Sequence, residues 1–181
     1  AVNIPMFRLW AWNAVPSSEP PDLTMAVIVG RALDTRTPVF ADEMPFVVFR
    51  PYWNVPLSIL RGEILPAIRR DPDYLLREDL EIVRGQTDNA PVLDPTPETI
   101  AELGRRDVRL RQRPGPENAL GLVKFMFPNL NDVYMHGTPA PVLFQRSRRD
   151  FSHGCIRVEH PAALAEWALG GDPAWTADRI Q

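Results

Sequence analysis

The chain has 181 residues, 45% of them hydrophobic, and a net charge of −3, enough apolar material for one full-sized domain core. An acidic balance, with a pI near 5.6, gives no electrostatic case for nucleic acid. No apolar run reaches the roughly eighteen residues of a membrane span, and a single cysteine, Cys155, excludes an intramolecular disulfide.

Twenty prolines, about twice the usual frequency, argue against a plain helical bundle and for short strands joined by defined loops. Residues 3–12 read as one strand, with Phe7, Leu9 and Ala11 on one face and Met6, Arg8, Trp10 and Trp12 on the other. Val15 to Asp22, rich in proline and serine, reads as a turn. Thr24 to Gly30 is β-branched and apolar, so the two strands are expected to form a hairpin. Arg31 to Pro38 is polar and reads as a loop. Val39-Phe40 and Phe46 to Phe49 follow as short strands, the second stopped by Pro51.

Composition changes at Pro56. Leu57, Leu60, Ile64, Leu65 and Ile68 recur at helical spacing, and the interrupting prolines predict two short helices. Asp71-Pro72 reads as a cap followed by proline at the first helical position, and Thr96-Pro97 repeats that signal. Leu80 to Val83 is a possible strand between them. The stretch 57–107 is thus expected to be a helix-rich insertion in a single 1–181 domain, able to serve as a lid. Strands return at Val108 to Gln112, Gly121 to Phe127 and Val133 to His136. Thr138 to Asp150 is a loop whose arginines, Arg146, Arg148 and Arg149, read as solvated, and Pro161 to Leu169 is a helix with Ala163, Leu164, Trp167 and Ala168 on one side. The class expected is β-rich α+β with a C-terminal helix.

The chemistry concentrates at Ser152-His153-Gly154-Cys155-Ile156-Arg157. A lone thiol beside a titratable ring, a glycine and a nearby cation has the neighbours that tune thiol reactivity. Gly154 admits a carbonyl close to the backbone, so the amides of Gly154 and Cys155 can donate to an oxyanion. The bland alternative is a small core residue beside a turn. His136, at the end of Val133-Tyr134-Met135-His136-Gly137, can reach the sulfur from another strand and act as its base, whereas His153 is near only in sequence. Gly137 can orient that ring only through its carbonyl. Arg157 projects to the same strand face as Cys155 and would suit a substrate carboxylate; its alternative is an ion pair with Glu159. Tyr134 stands in the same relation to His136. A zinc site of His136, His153, Cys155 and His160 competes, but the ligand spacing is tighter than usual, and no metal or other cofactor is expected.

Met135-His136-Gly137-Thr138 followed by Ser152-His153-Gly154-Cys155-Ile156-Arg157-Val158 resembles the signature of the YkuD family of L,D-transpeptidase catalytic domains. The likeness is strongest to its long periplasmic branch, typified by YcbB. Pro51-Tyr52-Trp53-Asn54-Val55-Pro56, Arg111-Gln112-Arg113-Pro114-Gly115-Pro116 and Lys124-Phe125-Met126-Phe127-Pro128-Asn129 extend the resemblance over nearly the whole chain. It implies a β-sandwich with a helical capping insertion. It also implies a role in cell-wall biogenesis and cell shape, in which Cys155 attacks a peptidoglycan tetrapeptide stem at the L,D bond before the terminal D-alanine. A diaminopimelate amine of an acceptor stem then resolves the thioester into a 3→3 cross-link. His136 matches the family's base, Gly137 its orienting carbonyl, and the amides of His153, Gly154 and Cys155 its oxyanion hole; Tyr134, Ser152 and Arg157 are the candidate substrate contacts. Some branches carry serine after the base histidine, a role that Gly137 leaves empty. Acylation of Cys155 by carbapenems and a periplasmic location are further implications. Since the chain begins at Ala1 without a signal peptide or membrane segment, an excised catalytic core is expected. Two alternatives share the motifs: an L,D-carboxypeptidase or cross-link hydrolase, in which water resolves the thioester, and a non-catalytic muropeptide-binding module.

Overall fold

The computed structural model describes residues 1–14, 19–105 and 107–181, so part of the turn expected at Val15–Asp22 lies outside the described residues. The chain forms two compact units, one of residues 1–50 and 120–181 and the other of residues 51–119. It is sheet-rich with a few helices, the β-rich α+β class expected of it.

In the first unit the expected single strand over 3–12 is two strands, β1 (Val2–Asn3) and β2 (Arg8–Ala11). Pro5 has no N–H for a ladder. The chain instead turns through Ile4–Phe7, where Asn3 Oδ1 accepts from the Met6 N–H at 3.0 Å and Phe7 takes a φ of 54°. The alternation survives within β2, where Leu9 and Ala11 are buried. β2 pairs antiparallel with β3 (Leu23–Gly30), Leu9 opposite Met25 and Ala11 opposite Leu23, which is the expected hairpin. Val39-Phe40 is not a strand; Val39 is 86% exposed and has no ladder.

The sheet continues through β4 (Phe46–Phe49), β9 (Val123–Met126), β10 (Met135–His136), β11 (Asp150–Ser152) and β12 (Ile156–Val158). Its order is β1-β2-β3-β12-β10-β9-β4, with β11 paired to β3. One face carries Met25, Val27, Val29, Val123, Phe125, Ile156 and Val158, all buried against the helix Pro161–Ala168. That helix buries Ala162, Leu164 and Ala165, so its inward stripe differs from the one expected at 163, 164, 167 and 168; Trp167 stays half-buried at the margin. The same alternation puts Ala26 and Ile28 on the opposite face, under Phe144, Leu143 and Phe151. Arg149 does not lie in solvent as expected. Its guanidinium donates to the carbonyls of Val27, Phe7, Phe144 and Arg146, tying the loop to the sheet.

The second unit is wider than the 57–107 stretch and has its own sheet, β5 (Trp53–Asn54), β8 (Val108–Gln112), β6 (Leu80–Arg84) and β7 (Val92–Leu93), in the order β5-β8-β6-β7. Its helical segments Leu57–Ile59, Leu60–Ile64 and Leu65–Arg70 run on without a break, where two helices were expected. Pro66 is accommodated because the preceding turn widens: the Leu65 N–H reaches the Leu60 carbonyl, five residues back. Thr96 caps Pro97–Glu102 by accepting from the Thr99 N–H, as the sequence signal requires. The helix after Pro72 begins only at Tyr74.

Candidate active site

Three neighbouring strands build the site from one face of the first unit's sheet. β10 and β12 run parallel with Met135 opposite Ile156 and His136 opposite Arg157. β9 is antiparallel to β10 and sets Lys124 opposite His136. Paired residues share a face, and residues two apart along a strand return to it. Tyr134 and His136 therefore stand beside Arg157 and Lys124 on the face opposite the main core. Cys155, two residues before Arg157 and next to the Ile156 N–H that bonds the Tyr134 carbonyl at 3.0 Å, closes this group.

His136 is buried, and its Nδ1 donates to the Gly137 carbonyl at 2.6 Å. A carbonyl can only accept, so the proton sits on Nδ1 and Nε2 is left as a base. Burial, then the charges of Arg157 and Lys124, hold the imidazole pKa down at about 3 against the carbonyls of Gly137 and Leu120. A Cβ at Gly137 would stand 3.2 Å from Pro161 and 3.3 Å from the Leu120 carbonyl, so a side chain there would need its neighbours to give by a few tenths of an ångström.

Cys155 is half-buried, with its sulfur 4.0 Å from the Asp132 carbonyl. Burial pushes its thiol above the ordinary value, and the backbone N–H and phenol of Tyr134, then Lys124 and Arg157, recover part of that shift. Both directions favour the uncharged form, of the thiol and of the imidazole alike. Lys124 lies 4.0 Å from the centroid of the Tyr134 ring, a cation–π contact that holds the phenol in place. Arg157 Nε is a buried donor with no partner among the described residues, and Glu159 instead accepts from the Ala26 N–H at 2.9 Å.

The cysteine loop is held from within and from behind. Ser152, 2% exposed, donates to the Cys155 carbonyl at 2.5 Å and accepts from the Gly154 N–H at 3.2 Å. Of the three amides expected to serve an oxyanion, that of Gly154 thus already has a protein acceptor. Gly154 takes a φ of 115°, a conformation open to glycine. Behind the loop, Thr35 donates to the Ser152 carbonyl at 2.7 Å and Thr37 donates to the Gly154 carbonyl at 2.8 Å. Gly30 must be glycine for this, since a Cβ there would collide with the Thr35 carbonyl and stand 2.8 Å from the Thr37 nitrogen. Thr35 and Thr37, two polar residues in a polar loop, carried no signal in the sequence, and Lys124 entered only through the family resemblance, with no role at the site. His153 is exposed and His160 lies outside this face, 3.7 Å from Glu159. Among the described residues no three His, Cys, Asp or Glu side chains converge as metal ligands.

Comparison with known proteins agrees with these motifs. Residues 1–175 match the family model of the YkuD L,D-transpeptidase catalytic domain. A Haemophilus influenzae protein described as "Putative L,D-transpeptidase" is 34% identical over 179 residues, which is 98% of this chain and 35% of that relative's length.

Proposed function

The chain belongs to the YkuD family of L,D-transpeptidase catalytic domains, and from that premise we propose that it cross-links peptidoglycan stems through a thioester on Cys155. The observation that carries the proposal is the strand face shared by His136, Tyr134 and Arg157, with Tyr134, Lys124 and Arg157 all acting on the Cys155 thiol beside it.

In this reading a tetrapeptide stem presents the carbonyl of its third residue to the Cys155 sulfur. His136 Nε2 takes the thiol proton as the C–S bond forms, and the oxyanion accepts hydrogen bonds from backbone amides of the 153–155 loop. Collapse breaks the C–N bond, and the imidazolium returns the proton to the departing D-alanine amine. A diaminopimelate amine of a second stem then attacks the thioester. It gives its proton to His136 and leaves a 3→3 amide, while the sulfur leaves as thiolate and recovers the proton. The Gly137 carbonyl keeps Nε2 available throughout by holding the other proton on Nδ1.

Arg157 explains how so weak a base is used. Its unpartnered buried Nε suits a stem carboxylate. Docking of that anion cancels part of the positive field on His136 and raises the imidazole toward its working range, so the base strengthens when substrate is present. Water in place of the acceptor amine would make the same thioester an L,D-carboxypeptidase. The proposal places the reaction at the peptidoglycan layer, in the periplasm. Intact mass after incubation with a carbapenem tests the nucleophile: one covalent adduct is expected, lost in Cys155→Ala. Purified tetrapeptide muropeptides test the reaction, where 3→3 dimers with free D-alanine are expected and tripeptide alone would assign the carboxypeptidase.

A further inference from the structure

We propose that Thr37 is a positioning residue that aims the Cys155 N–H at the oxyanion by pinning the peptide plane between Gly154 and Cys155. The inference rests on the acyl-transfer reading above and names a part of the machinery from a loop distant in sequence.

Thr37 is 2% exposed, and its hydroxyl is used twice: it accepts from the Gly30 N–H at 2.8 Å and donates to the Gly154 carbonyl at 2.8 Å. The first bond fixes the hydroxyl on the end of β3, and the second fixes the carbonyl on the hydroxyl. In a trans peptide the C=O and the following N–H point to opposite sides of the chain. A Gly154 carbonyl drawn inward to Thr37 therefore turns the Cys155 N–H away from Thr37. This control is needed because Gly154, at a φ of 115°, is the least constrained residue of the loop. Its own N–H is occupied by Ser152 Oγ, so the Cys155 amide carries a larger share of the oxyanion. Thr35 acts in parallel two peptides earlier, on the Ser152 carbonyl. Gly30 lets both threonines reach the loop, because any side chain there would fill the space they cross.

An oxyanion donor affects attack on a carbonyl and not attack on a saturated carbon. The test compares two reactions of the same sulfur: acylation by a carbapenem, which passes through an oxyanion, and alkylation by iodoacetamide, which does not. Thr37→Val keeps the shape and removes the hydroxyl, and it is expected to slow acylation roughly 10- to 100-fold, less than the 10²–10³-fold of deleting a donor outright. Alkylation should stay within about twofold, and Thr37→Ser should restore acylation, since it restores both hydrogen bonds. If Thr37→Val proves too unstable to purify, Thr37→Ala makes the same comparison. Equal loss of acylation and alkylation would overturn the assignment, because Thr37 would then hold the thiol or the loop as a whole. Unchanged acylation would overturn it too, as would failure of Thr37→Ser to recover. Absence of an adduct on the wild-type protein would overturn the acyl-transfer reading and this inference with it, whereas the ratios between variants fail this inference alone.

Discussion

His136 stands directly opposite Arg157 in the parallel β10–β12 ladder, so a buried imidazole and a half-buried guanidinium share one strand face. Burial first, and this juxtaposition second, favour the neutral ring. A ring that loses its hydration on burial and faces a cation on each side has little reason to accept a second proton.

A stability profile follows from that state. The unfolded chain protonates His136 near pH 6.5, and the folded chain does so only near 3. Between those values the unfolded state holds more protons, so stability rises with pH and is lost as pH falls from about 6.5 toward 3. His136→Gln removes this contribution while keeping a donor for the Gly137 carbonyl. Urea unfolding of both proteins between pH 3.5 and 7.5 should show the wild type losing on the order of 4 kcal/mol more than the variant, at about 1.36 kcal/mol per pH unit. A difference independent of pH would mean that the folded imidazole takes up its proton over the same pH range as in the unfolded chain.

Arg157→Gln separates the two roles given to that residue. As a carboxylate anchor it contributes a charge-assisted hydrogen bond of about 1.5–3 kcal/mol, so KM for a tetrapeptide donor should rise roughly 10- to 100-fold. A donor with its terminal carboxylate amidated should not distinguish variant from wild type. As a neighbour of His136 the cation holds the imidazole down, and its removal should move the acidic limb of the acylation profile to higher pH. Equal loss on both donors would remove the anchor role, and an unmoved acidic limb would remove the electrostatic one.

The legible part of this molecule was local. The β2–β3 hairpin follows from alternation, the cap at Thr96 from one tripeptide, and Cys155 from being the sole thiol beside a histidine and a glycine. The relation of His136 to Cys155 was inferable as chemistry, but the register that sets β10 beside the strand following Cys155 pairs residues 21 apart, Met135 with Ile156 and His136 with Arg157. No periodicity within either strand encodes that pairing. Thr35 and Thr37 were passed over because a threonine in a polar loop looks the same whether its hydroxyl meets water or a peptide carbonyl. Arg149 was misread for the matching reason: its charge predicts solvent, yet four backbone carbonyls take its donors. At Pro66 the local rule was overridden by a widened turn, with Leu60 and Ile64 buried in the second unit's core.

The last prediction concerns that second unit alone. Arg111, 3% exposed, donates to Glu81 at 2.6 Å and to the Asp88 carbonyl at 2.7 Å, and its guanidinium lies 4.1 Å from the Tyr52 ring centroid. Burying this pair cost both groups their hydration, so its net worth is small, but leaving one charge behind is expensive. Glu81→Gln keeps the shape and strips the counter-charge. It should destabilise the unit by about 3 kcal/mol, the low end for a broken buried pair, because the carbonyls and the ring still hold part of the guanidinium. Replacing both residues, Glu81→Leu with Arg111→Met, should recover most of that loss. Hydrogen exchange of the β6 and β8 amides measures both changes within the unit. A cost for Glu81→Gln no larger than the roughly 1 kcal/mol of an exposed pair would mean that Tyr52 and the carbonyls carry the Arg111 charge without Glu81.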